Sequence, residues 1–170
     1  SEAEALGDRR RQAPALGNLG VVLADMAEPA TAKDCHQRSE RLYQELDDPA
    51  GVAGQLGNLG RLALASGQTE EAEDCFERAL AGFVAADDLP GTANCLCCLG
   101  DIYRQRGATE EAKAAFLHAL EGFESFQYLP GMAMAGRNLG HILRGQAAIE
   151  EAGQRYTQAL DWSRGSGDLR

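Results

Sequence analysis

Apolar residues fall along the chain at helical spacing, in short runs broken by turn signals. Residues 89–128 show the pattern well. Leu89-Pro90-Gly91 is a turn signal before a helix in which Leu96, Leu99 and Tyr103 share one face. Gly107 reads as the residue that stops this helix. Thr109 is placed to cap the next one, with Glu110 and Glu111 in its first turn, where negative charge is favoured. Ala112, Phe116, Ala119, Leu120 and Phe123 then form the apolar face of the second helix. No alternating pattern predicts a strand.

The same pattern returns every forty residues. Leu19-Gly20, Leu59-Gly60, Leu99-Gly100 and Leu139-Gly140 are in phase, as are Ala32, Ala72, Ala112 and Ala152. Asp8, Asp48, Asp88 and Asp168 form a third series, with Tyr128 in its gap, and Asn18, Asn58 and Asn138 a fourth, with Cys98 in its gap. The prediction is an all-α solenoid of four helix pairs, about eight helices, with a concave groove. The repeats span 9–48, 49–88, 89–128 and 129–168. Residues 1–8 read as the end of a preceding repeat or a linker, because Leu6-Gly7-Asp8 matches the end of a second helix. Asp168-Leu169-Arg170 matches the start of another unit, which suggests a segment of a longer array. Repeat 1 is degenerate, with His36 in place of the aromatic and Ser39 in place of the alanine on its second helix. A glycine inside a helix costs about 1 kcal/mol relative to alanine. Its recurrence at Gly20, Gly60, Gly100 and Gly140 implies a close crossing, with the alanine series expected opposite.

Leu96-x2-Leu99-Gly100-x2-Tyr103 followed by Ala112-x3-Phe116 resembles the tetratricopeptide repeat signature, and Ala72-x3-Phe76 and Ala152-x3-Tyr156 match its second half. The usual unit has 34 residues. The usual closing proline is missing, with Val84 and Glu124 in its place, so a longer second helix is expected to hold the extra residues. Units of forty resemble those of spindle-orientation scaffolds and of the sensor segments of bacterial transcriptional regulators. The resemblance implies a protein- or peptide-binding module within a larger bacterial regulator or scaffold, its first helices lining the groove. A structural spacer or self-association module is the alternative, since uncapped solenoid ends leave core surface open to a second copy.

Composition narrows the function. Sixteen Lys and Arg against 26 Asp and Glu give a net charge of −10, which argues against nucleic acid. No run is long and apolar enough to span a membrane and no leader pattern is present, so a cytoplasmic protein is expected. Fourteen of the sixteen basic residues are Arg, a usage that fits a GC-rich bacterium.

Candidate chemistry is sparse, and no enzyme activity, cofactor or metal is expected. Gly51, Gly54, Gly57 and Gly60 lack the Lys-Ser/Thr of a phosphate loop. Cys95, Cys97 and Cys98 have no second Cys/His pair to complete a zinc site, and the five cysteines read as small apolar packing residues. Cys35 and His36 are adjacent, so on a helix they diverge and form no dyad.

With the first helices placed along the groove, the candidate partner-binding residues are Asn18, Asn58, Arg61, Asn94, Asp101, Arg104, Arg137, Asn138, His141 and Arg144. An asparagine row offers donors and acceptors to the backbone of an extended peptide, or to a neighbouring helix. Repeat 2 carries two basic and seven acidic residues, whereas residues 129–170 carry five basic and four acidic. An acidic peptide is therefore expected to engage repeats 3 and 4 through Arg104, Arg137 and Arg144.

Overall fold

The structure is a computed structural model. It describes the backbone of residues 2–167 and the side chains of residues 6–167. The described residues form eight helices and no strand: α1 (Glu2–Asp25), α2 (Pro29–Glu45), α3 (Pro49–Ala65), α4 (Thr69–Ala85), α5 (Leu89–Gln105), α6 (Thr109–Ser125), α7 (Leu129–Gly145) and α8 (Ile149–Gly165). None is long and apolar enough to cross a membrane. The chain divides into two compact units, one ending at Asp88 and the other beginning at Leu89.

Helices α2 to α8 have 17 residues each, so first and second helices are equally long. The extra length of the repeat is thus not confined to the second helix. Helix α1 has 24 residues and runs through Pro14 without a break. Leu6-Gly7-Asp8 accordingly lies inside α1, not at the end of a separate helix, and Asp168-Leu169-Arg170 fall outside the described residues.

The stops have one mechanism. A residue with positive φ follows every helix: Ala27, Asp47, Gly67, Asp87, Gly107, Gln127, Ala147 and Gly167, twenty residues apart. Around it the next amide bonds back to the last helical turn, as in Asp48 N to Tyr43 O at 2.9 Å and Ala108 N to Tyr103 O at 2.9 Å. This is the Schellman arrangement, which satisfies carbonyls that the ended helix leaves free. Only three of the eight stops use glycine, so the other five carry the steric cost of the left-handed conformation. Helix starts are plainer. Leu89-Pro90-Gly91 is the first turn of α5, where a proline loses no helical bond. Thr109 is the first residue of α6 rather than its cap; the cap position is Ala108. Asp48 caps α3, accepting from Gly51 N at 2.8 Å.

The glycine series does mark a tight crossing, but its partner differs from expectation. A methyl group on Gly100 would lie 2.9 Å from the Phe116 ring, and one on Gly60 2.9 Å from Phe76. Gly140 meets Tyr156 and Gly20 meets His36 in the same way. The second-helix aromatic, not the alanine, therefore lies across the glycine. The ring reaches back over the turn preceding its own Cα, which brings it to the facing helix. The alanines are buried too: Ala32, Ala72, Ala112 and Ala152 lie in the core.

Candidate functional site

Candidate residues from the first unit lie on α1 and α3. Asn18 is exposed. Asn58 accepts a hydrogen bond from Arg61 on the same helix. Both line a depression of about 280 Å³ with Val21, Ala24 and His36. His36 forms its floor. This side chain is 1% exposed and is held by Gln55, whose Oε1 accepts from Nδ1 at 2.9 Å. Burial lowers the His36 pKa below its ordinary value, the Gln55 bond opposes this, and the charge of Arg61 adds to the lowering. His36 is thus neutral at neutral pH.

Candidate residues from the second unit lie on α5 and α7. Asn94 Nδ2 donates to Pro90 O at 2.9 Å, one turn back on its own helix. Asp101 is shared: Arg104 Nη2 donates to its Oδ1 at 3.1 Å, and Asn138 Nδ2 reaches the same oxygen from α7 at 3.4 Å. Asn138 is 6% exposed, so its amide ties two first helices together. Helical spacing then sets the rest. Arg137, His141 and Arg144 follow at steps of four and three on the exposed side of α7. The imidazole of His141 packs edge-on against Tyr156, with Nδ1 2.9 Å from the phenol oxygen. Desolvation lowers its pKa first, followed by the positive charges of Arg144, Arg104 and Arg137. The three arginines come from two helices and span forty residues of chain.

The asparagine row is therefore not uniform. Asn138 and Asn94 are committed within the fold, Asn58 bonds Arg61, and Asn18 faces solvent. Sequence reasoning missed Tyr156, which orients His141 from α8; the His141/Tyr156 separation of fifteen residues gave no helical-face signal. The polar pair His36/Gln55 was missed as a pair, although His36 was conspicuous as the odd member of an aromatic series.

The cysteines are free thiols. Cys35, Cys75, Cys95 and Cys97 are buried and Cys98 is partly so. Burial pushes the Cys97 thiol up to about 12, the pattern of a packing residue rather than a thiolate nucleophile. Among the described residues no three His, Cys, Asp or Glu side chains gather as metal ligands.

Residues 52–125 match the family model of the tetratricopeptide repeat. The fold is similar to aspartyl phosphate phosphatase F from Bacillus subtilis, at 18% identity and a TM-score of 0.87, over 95% of this chain and 42% of that one. BtubC from P. vanneervenii is 16% identical with a TM-score of 0.79, over 93% of this chain and 65% of that one. MamA is 20% identical with a TM-score of 0.69, over 98% of this chain and 87% of that one. The chain thus spans less than half of the phosphatase and just under two thirds of BtubC. No curated protein matches by sequence. At these identities the likeness is one of fold.

Proposed function

We propose that this chain, a protein of the tetratricopeptide repeat type, works as a protein-interaction module that takes an extended, net-acidic segment on the exposed face of α5 and α7. The observation that carries this reading is the exposure of Arg104 on α5 and of Arg137 and Arg144, one turn either side of His141, on α7, in a protein of net charge −10. A local positive field on an acidic protein favours carboxylate-bearing partners and disfavours most of the alternatives. Arg137 and Arg144 supply planar donor pairs for carboxylates. Asp101 holds Arg104 and Asn138 in place and repels a carboxylate set too deep. His141 is neutral when the site is empty and gains a proton more readily once an anion lies beside it, so association tightens as pH falls modestly below neutrality.

Recognition of this kind involves no covalent chemistry, and the chain is read as a non-enzyme. The test is a peptide-library screen on the wild type, followed by variants. Removing a charge-assisted hydrogen bond costs about 1.5–3 kcal/mol and a neutral one about 0.5–1.5. Arg137→Ala and Arg144→Ala are expected to weaken binding more than Asn58→Ala, and only the arginine effects shrink markedly with salt. Selection of basic peptides, or undiminished binding in a folded Arg104/Arg137/Arg144 triple alanine variant, overturns the reading.

A further inference from the structure

The two units differ where their first helices meet. In the second unit Asp101 and Arg104 of α5 form an ion pair at 3.1 Å, and Asn138 Nδ2 of α7 reaches the same Asp101 oxygen at 3.4 Å. In the first unit that ion pair is missing: Val21 stands in phase with Asp101 and Ala24 in phase with Arg104. Asn58, in phase with Asn138, is kept. The space left by the two shorter side chains is the depression of about 280 Å³ between α1 and α3. At about 30 Å³ per water, this is the room of roughly nine waters, or of one small organic molecule.

The polar groups around this space are sorted by wall. On the α3 side, Asn58 Oδ1 accepts from Arg61, which fixes the guanidinium and leaves Asn58 Nδ2 as a donor. On the α1 side stands Asp25, and Arg61 turns to Asn58 on its own helix rather than to this carboxylate. On the floor, His36 is 1% exposed and bonds Gln55 through Nδ1, so Nε2 is its acceptor. No fully buried polar side-chain atom among the described residues lacks a partner, so Nε2 opens on the depression. Val21, Ala24, Leu62 and Ala65 supply hydrocarbon between these groups.

We infer that this depression binds a free α-amino acid with an aliphatic side chain, whose two charged groups play the part that Asp101 and Arg104 play in the second unit. The ligand carboxylate accepts from Asn58 Nδ2 and Arg61, and its ammonium donates to Asp25 and to His36 Nε2. The side chain lies against Val21 and Leu62. A zwitterion matches a site with one arginine and one aspartate; a simple anion meets Asp25 and a simple cation meets Arg61. Both walls and the floor belong to this chain. In the second unit α7 meets its neighbours through Asn138, Leu139 and Ile142, so by phase a repeat before α1 would cover Asn18, Leu19 and Val22 and leave the depression in place. The inference does not rest on acidic-peptide binding, which is assigned to α5 and α7.

Equilibrium dialysis with radiolabelled leucine tests it. The wild-type chain is expected to retain leucine saturably, with isoleucine and valine competing. N-acetylleucine lacks the ammonium and leucinamide lacks the carboxylate. Each is expected to compete at least about tenfold less well, the scale of a lost charge-assisted hydrogen bond. Val21→Asp supplies a carboxylate from within the fold, as Asp101 does, and is expected to abolish retention. Arg61→Gln removes the cation and is expected to weaken retention about tenfold or more. Both side chains are exposed, so wild-type circular dichroism is expected in the two variants. A wild type that retains no leucine at roughly millimolar concentration overturns the inference. So does an analogue blocked at either end that competes as well as leucine, or wild-type retention in either folded variant.

Discussion

The junction of α1, α2 and α3 and the junction of α5, α6 and α7 are built from equivalent positions eighty residues apart, yet their chemistry differs. The second is apolar, with Phe116, Ala119 and Ala135 fully buried. The first places His36, Ser39 and Gln55 at those positions, all buried. Its polar atoms are not left alone: Nδ1 of His36 pairs with Gln55, and Ser39 Oγ donates to Ala13 O at 2.6 Å. A buried polar group that keeps its hydrogen bond is tolerated, and one that loses it is expensive. The contrast teaches that this backbone needs shape at these positions more than it needs hydrocarbon. The ring over the glycine can be imidazole or benzene, provided each polar atom finds a partner. It also places a buried titratable group, His36, in the first unit.

The comparison breaks most readily in the apolar junction. Gly100→Leu drives bulk into Phe116, and a loss of about 3 kcal/mol is expected, at the upper end for overpacking. Urea denaturation checks it, and a midpoint at or above wild type would remove the close-crossing reading. In the polar junction the interdependence of the pair is the sharper probe. His36→Phe supplies the ring used by the other unit but strands Gln55, at a cost of about 2 kcal/mol. Adding Gln55→Ala is expected to restore most of it, so the two substitutions should be strongly non-additive in a double-mutant cycle.

Acidification should separate the two junctions without mutation. His36 has a folded pKa below its unfolded value of about 6.5. As pH falls through the unfolded value, the unfolded chain takes up a proton that the folded chain refuses. Stability is therefore full above the unfolded value and declines on acidification until the lowered folded value is passed. The decline should weaken in the His36→Phe/Gln55→Ala variant; His141 has the same sign but is exposed, so solvent screens its share. Thermal unfolding from pH 7 to pH 5 on both proteins measures the difference. An equal decline in the two would move the acid sensitivity elsewhere.

Smaller effects test the helix stops, which both units share. Ala27→Gly and Ala147→Gly relieve a left-handed alanine in one unit each, and a gain of about 0.5–1 kcal/mol is expected for either. A fall in melting temperature would contradict the Schellman account of these loops.

The repeat and its helices were legible because period, turn residues and apolar faces are properties of single positions. What rests across a crossing glycine was not. Ala112 and Phe116 occupy the same face of α6, and only the reach of the ring decides which covers Gly100. The five non-glycine stops were hidden for a related reason: Ala27, Gln127 and Ala147 carry no mark of positive φ, and Asp47 and Asp87, of a type that tolerates it, also suit a cap. Of the candidate site, the basic residues could be placed on α5 and α7 by counting. Asp101 as the shared anchor of Arg104 and Asn138 could not, because that link joins residues thirty-seven apart.

The two regions thus differ: the first unit has a polar junction around His36, and the second has the apolar junction and the arginines of α5 and α7 to which the recognition surface is proposed to belong. Hydrogen exchange resolved by segment, on the wild-type chain with and without a net-acidic peptide from the library screen, tests this most directly. Added protection is expected in α5 and α7 and not in α1 or α3, and it should vanish in the Arg104/Arg137/Arg144 triple alanine variant. Protection centred on α1 and α3, or protection that persists in that variant, would contradict the account.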